Sequence, residues 1–428
     1  VRARLARGGV FCQWANAYNI SDRDLRSIVA TFLSVFPDGT LWLVGGDDVL
    51  MMASDQPLDE RLERIREHWT RPGVAEDLAE VAVRDPFSLW SLYVGGPAEL
   101  ARYAQGSPQF NDDTMRLEFS APRELHHARA GENVATLTGL LGADRGPQVI
   151  REARRAAGAA EWRNRGAMMA KSDVHSRAYD DFLRALELDV TDSAALDGLV
   201  RTAVLTSRAP DALVALQNLA HRVEPPAAAA NRSGGTSASA TRPLENPHTL
   251  VAISKLQAAA GLADEAAESA RQASLVDPLA PTPGLEQMAS VFADRGNTVR
   301  LDEVVERLER HAPGRAPTLY YAAVAQFLHG DADHAARLAE RAIEADPSFA
   351  PVYDLAGAAY TRLGRVADAR VAFERSLAFD AHDSSAYTNL GLLAFEAGDR
   401  VAARGYFAEA LWLEPASRVA RDGMARTK

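Results

Sequence analysis

The feature that most narrows the folds open to this chain is a spacing. Gly296, Gly330, Gly364 and Gly398 recur at one constant interval, every thirty-fourth position. Pro313 and Pro347 keep the same interval, and Pro347 and Pro415 stand at twice it, with Ala381 midway. Ala335, Ala369 and Ala403 fall into this register, as do Phe373 with Phe407 and Gly357 with Gly391. A fixed period with several residue types in line marks a stack of supersecondary units. Small residues at the paired Gly and Ala positions let two antiparallel helices approach closely. Large residues fill the next layer, and a proline ends the second helix. One such hairpin cannot bury its apolar face alone, so the units must stack.

Counting backwards, Ile253, Gly261, Ala266, Ala273 and Pro278 fit the template with one extra residue before the next unit. Trp162, Gly166, Ala178, Phe182 and Ala185 fit another, and Ala212, Leu216, Leu219 and Pro225 a weaker one. The expected units are 159–192, 193–226, 247–280, 282–315, 316–349, 350–383 and 384–417, followed by a tail at 418–428. Residues 227–246 are small and polar without periodicity, which predicts a flexible linker. The pattern resembles the tetratricopeptide repeat (TPR), a helical-hairpin solenoid. That resemblance implies a scaffold holding a protein or peptide ligand in the groove lined by the first helix of each unit. Lys255, Tyr320, Phe327, Arg362, Thr388 and Glu396 are the residues expected to face it. The Lys and Asn set with which members of that family clamp a C-terminal carboxylate does not occur here.

The net charge of −11 argues against a nucleic-acid partner, which calls for a basic face. Arginine supplies nearly all the positive charge, the lysines being Lys171, Lys255 and Lys428. The single cysteine, Cys12, excludes a disulfide framework and a cysteine-based zinc site. No apolar run has the length that a membrane-spanning helix requires. The best candidate, Ser27 to Gly46, is broken by Pro37, Asp38 and Gly39. A soluble chain in a reducing, cytoplasmic setting is expected, with no metal. His126 and His127 are adjacent, so on a helix their rings diverge and do not share an ion. Cys12, in an apolar strand with no base near it in sequence, reads as an inert core thiol.

Residues 1–56 follow a different pattern. Val10 to Trp14 reads as a buried strand after the Gly8-Gly9 break. Ser21 then caps a helix whose Leu25, Ile28, Val29, Phe32 and Phe36 share one face, and Pro37 stops it. Thr40–Val44 and Val49–Ala53 are apolar runs joined by Gly45-Gly46-Asp47-Asp48, the chemistry of a hairpin. Strand, helix and strand pair in this order describe the last third of an open α/β sheet whose final strand inserts antiparallel. From 57 to 158 the chain reads as a helical connecting region containing the acidic stretch Asn111-Asp112-Asp113.

The stretch from Leu5 to Pro57 resembles the C-terminal part of polyamine aminopropyltransferases, the spermidine synthase family. Asn111-Asp112-Asp113 to Arg123 resembles the tail that follows such a domain. The fold expected is therefore mainly α: a TPR solenoid preceded by the last strands and helix of a truncated Rossmann-like, class I methyltransferase-type domain. The family binds decarboxylated S-adenosylmethionine and transfers an aminopropyl group to an amine. The resemblance implies that cofactor for a complete parent, one whose missing upstream part could anchor it to a membrane. No G-x-G-x-x-G occurs, so this chain is expected to hold no catalytic residue and no cofactor. Gln13 matches a family position on the amine side of the pocket. Trp14, at a strand end, and Asp47 and Asp48, in the hairpin, are the other pocket candidates. The family's tyrosine-bearing loop before the last strand is here Leu43 to Asp48, with no tyrosine.

Overall fold

The computed structural model describes residues 1–56, 58–111, 130–140, 145–222, 245–276 and 278–427. The linker at 227–246, most of the acidic stretch and the His126-His127 pair lie wholly or mainly outside them. The chain divides into two compact units, Val1–Gly235 and Thr236–Lys428.

In the first unit, strand β1 (Val10–Asn16) leads to helix α1 (Asp22–Val35), then to β2 (Thr40–Val44) and β3 (Asp48–Ser54). Ser21 caps α1, its hydroxyl accepting from the Asp24 N–H at 3.1 Å. Leu25, Val29 and Phe32 turn one face of the helix inward. Gly45 and Gly46 close the β2–β3 turn with positive φ of 59° and 92°. A Cβ on Gly46 would lie 2.7 Å from Val174 Cγ2, so this turn needs glycine for backbone and for space. The sheet order is β1-β3-β2-β4 with every pairing antiparallel. The fourth strand, β4 (Tyr93–Gly95), comes from within the helical connecting region, where no strand was expected.

The pleat sends Leu41, Leu43, Val49, Met51 and Ala53 against α1. Trp42 faces the other side and packs with Leu62, Phe87, Trp90, Tyr93 and Ile150. The middle strands are thus covered on both faces, but β1 is not. It forms the sheet edge, and Trp14 is 53% exposed, with Cys12 exposed as well. The expectation of a buried strand and a core thiol is corrected here. An apolar run marks a strand, but it does not say that both faces of that strand are covered.

Helical hairpins follow. In the first unit they pair Ala159–Lys171 with His175–Leu188 and Ser193–Leu205 with Ala209–Arg222. In the second they pair Pro247–Ala259 with Ala263–Val276, Thr282–Asp294 with Thr298–His311, and Ala316–His329 with Ala332–Ala345. Pro351–Arg362 with Val366–Phe379 and Ser384–Glu396 with Arg400–Leu413 complete the series. The stretch read as a tail instead forms a helix, Arg418–Arg426, that buries Ala420 and Gly423. It packs on the hairpin before it, adding Ala420 to the cluster around Phe407. The packing rule is visible at the aromatic positions. Cβ atoms on Gly357 and Gly391 would each stand 2.6 Å from Phe373 and Phe407, respectively. Gly423 meets Phe407 from the other side at 2.4 Å. Each phenyl ring fills a space that only the missing side chain leaves open.

Candidate functional site

In the second unit the first helices of successive hairpins place one repeat position in a row. Glu286, Tyr320, Asp354 and Thr388 follow one another at the repeat interval. Tyr320 is half-buried, edge-on to Tyr321 at 5.0 Å and to Phe349 at 5.6 Å between ring centroids. Burial, then the nearby Asp294 and Asp354 carboxylates, push the Tyr320 hydroxyl up to about 12. Tyr321 is raised as well, by burial first and then by Tyr320 and Glu286. Both phenols stay protonated and neutral at physiological pH, and both remain hydrogen-bond donors.

The carboxylates beside them sit in partly desolvated places that a cationic ligand would relieve. Asp294 is raised above the usual carboxylate range by burial. Glu286 is raised by burial too, opposed by Arg315, whose guanidinium stands 3.6 Å away, and by Lys255. Asp354 is raised by burial and by the Asp383 carboxyl, so this pair favours holding one proton. The centre of the row is therefore aromatic and acidic, with Lys255 and Arg315 on its N-terminal side and Arg362 on its C-terminal side.

Of the six groove residues expected from sequence, four bear on this surface. Lys255 and Tyr320 are half-buried. Phe327 and Arg362 come together: the guanidinium carbon lies 3.9 Å from the ring centroid, and Nη1 donates to the Phe327 carbonyl at 3.1 Å. Thr388 is corrected, being 9% exposed with its hydroxyl donating to the Ser384 carbonyl at 2.8 Å. Glu396 is exposed at the last turn of its helix. Tyr321, Glu286, Asp294 and Asp354 were missed. Their signal was the repeat register itself, which reaches Glu286 and Asp354 in one step from Tyr320.

The four N-terminal candidates do not assemble. Gln13 lies on the α1 face of β1, in an apolar cavity of about 310 Å³ with Phe11, Ile28, Phe32 and Phe110, and its amide donates to the Trp14 carbonyl at 2.9 Å. Trp14 points to the opposite face, where its indole N–H meets Asp48 at 3.0 Å. Asp47 is raised by burial, then by Asp48. Among the described residues no charged side chain lines the Gln13 cavity, so those residues offer no carboxylate to a ribose or an amine. Among the described residues no cluster fit to hold a metal occurs, and no helix is long and apolar enough to cross a membrane.

The hairpins of the first unit differ in chemistry. They border a cavity of about 730 Å³ lined by Arg84, Arg163, Lys171, His175, Arg201 and Asp197, among others. Arg163 is tied to Asp192 at 2.8 Å and Asn164 to Asp85 at 2.8 Å.

No family model matches the chain, and no curated protein matches it. Among solved structures, a tetratricopeptide repeat protein from Parabacteroides merdae is 13% identical, with a TM-score of 0.44, over 63% of this chain and 98% of its own. The APC/C hetero-tetramer Cut9–Hcn1 aligns at 13% identity and a TM-score of 0.45 over 86% of this chain and 69% of its own. A thermophilic TPR protein of Thermus thermophilus aligns at 19% identity and a TM-score of 0.38 over 42% of this chain and 98% of its own. Two of these three are TPR proteins. The solenoid assignment itself rests on the period and packing set out above.

Proposed function

We propose that the second unit is a protein-interaction scaffold whose groove takes a peptide segment bearing lysine or arginine. The half-buried Glu286 and Asp354 around Tyr320 and Tyr321, with the more exposed Asp294 beside them, carry this reading. A cation over the rings gains from their faces and from Asp294 and Asp354 together. Its arrival also lowers the cost of keeping those carboxylates ionised in a partly desolvated place. The test is selection from a random peptide library on the full chain, followed by fluorescence anisotropy. Selected peptides are expected to be enriched in Lys and Arg. Tyr320→Ala and the Asp294→Asn/Asp354→Asn double variant should each weaken their binding at least tenfold with the helical circular dichroism intact. Selection of acidic peptides, or variants that bind as well as the parent, would refute the reading.

A separate reading concerns residues 1–56. We infer descent from the end of a spermidine synthase-like sheet, because β3 inserts between β1 and β2 antiparallel to both, with α1 joining those two. Since Gln13 and the Trp14–Asp48 pair lie on opposite faces of that sheet, no transfer step is assigned to this chain. Titration calorimetry with decarboxylated S-adenosylmethionine is expected to show no heat of binding. Micromolar saturation would mean that a nucleoside pocket exists after all.

A further inference from the structure

One cavity of the first unit belongs neither to the groove nor to the sheet face at Gln13. It measures about 230 Å³ and lies where Leu43 and β4 meet the helices Gln148–Ala156, Ala159–Lys171 and His175–Leu188. Its walls hold three arginines from these three helices, Arg154, Arg165 and Arg177, together with Ser91, Tyr93 and Thr138. Asp180 and Asp181 are the carboxylates present, and Asp180 is drawn to Arg208 at 3.2 Å. Asp181 alone faces the arginines closely, with Oδ1 at 3.3 Å from Arg165 Nη1. Neither Arg154 nor Arg177 has an ion pair within 4 Å among the described residues. Two buried polar atoms there, Arg165 Nε and Asp181 Oδ2, have no hydrogen-bond partner in the protein.

Three guanidiniums against one carboxylate leave an excess of positive charge in a partly dry space, an arrangement that costs stability unless something compensates it. Burial depresses Arg154 and Arg177, and Arg165 depresses both further, so the three repel one another. Asp181 is pushed up to about 7 by burial despite Arg165, so it neutralises the cluster only in part. Guanidinium forks match oxyanions bidentately, and the three arginines supply the donors here, since the hydroxyls of Ser91 and Thr138 already donate to the carbonyls of Ser88 and Val134. The volume lies below the roughly 300 Å³ at which pockets for larger ligands begin.

We propose that Arg154, Arg165 and Arg177 form a binding site for a small dianionic oxyanion, a phosphate group either free or carried on a small monoester. The site couples β4 to the first hairpin, since its ligand would touch groups from both. It is independent of the peptide groove.

The experiment uses the full chain in phosphate-free buffer of fixed ionic strength. Inorganic phosphate and glycerol 3-phosphate are titrated separately by calorimetry, with potassium chloride as the control. One site per chain is expected, with millimolar or tighter affinity and a raised unfolding temperature. A preference for one of the two ligands identifies the source. Arg154→Gln and Arg177→Gln should each lower affinity at least tenfold. Because each also removes a repelling charge, the ligand-free unfolding temperature should hold or rise, which an ordinary structural role would not produce. Arg163→Gln, in the neighbouring basic cavity, should leave binding unchanged. Absence of saturation beyond the chloride control, equal binding by the Arg154 and Arg177 variants, or loss in Arg163→Gln would overturn the site.

Discussion

At the scale of single residues, one backbone position recurs through all seven hairpins. Asp173, Ser207, Gly261, Gly296, Gly330, Gly364 and Gly398 each end the first helix of a pair with positive φ, from 56° to 91°. Five are glycine, and four of them, Gly296, Gly330, Gly364 and Gly398, revealed the period. The first two hairpins hide the same turn behind a side chain, which is why their register was fainter in the sequence. A side chain in the left-handed region costs about 1 kcal/mol or more relative to glycine. Ser207→Gly is therefore expected to stabilise the first unit by about 1 kcal/mol, and Gly364→Ala to destabilise the second by a similar amount. Urea midpoints read both. An unchanged or lower midpoint for Ser207→Gly would show that the serine makes a compensating contact worth as much as the strain.

At the scale of elements, periodicity located helices well and strands unevenly. Strand β4 escaped because Tyr93–Gly95 is too short for an alternation to register. The helix Arg418–Arg426 keeps the register, starting one interval after Ser384, but it escaped because Ala425 stands where Gly357 and Gly391 mark the earlier units. The edge position of β1 was illegible for a more general reason: which strand is central is a property of pairing across the chain. Asp181 belongs to this scale too, since the helix His175–Leu188 buries it against Arg165 and Arg177, with Arg154 and Asp180 nearby. Its folded value of about 7 lies above the unfolded 3.8. The folded state thus binds the proton more tightly. The stability this group contributes is fully present below pH 3.8 and is lost as pH rises through about 7. At about 1.4 kcal/mol for each tenfold change in proton affinity, the ceiling on this contribution is roughly 4 kcal/mol. Unfolding temperatures of the first unit measured from pH 4 to 8 without phosphate should fall across that window, and Asp181→Asn should flatten the decline. A slope unaltered in that variant would assign the titration elsewhere.

At the scale of the whole molecule, the two units carry different candidate chemistry, an arginine-lined cavity in the first and an aromatic and acidic row in the second. The main buried cluster of the second unit runs without a break from Ala270 to Leu393, and a further cluster gathers on Phe407, closed by Ala420 and Met424. In the first unit two clusters gather on the two faces of the sheet, one running from Ala15 to Leu137 and the other from Trp42 to Ala153. The groove row was only half legible because it is assembled from four helices, and the register says which residues align without saying which of them are buried together. Tyr320 could be picked out by type, whereas the carboxylates beside it gain meaning only once their burial is known. Residues 245–428 expressed alone should unfold in one cooperative transition, since stacked repeats depend on their nearest neighbours and this fragment holds five successive hairpins and a further helix. The fragment should also bind a Lys- or Arg-bearing peptide within about threefold of the full chain, because Tyr320, Tyr321, Asp294 and Asp354 are all inside it. It should show no response to phosphate. A broad, non-cooperative melt would break the claim that its core is self-sufficient. A folded fragment that had lost the peptide would move the groove's determinants into the first unit.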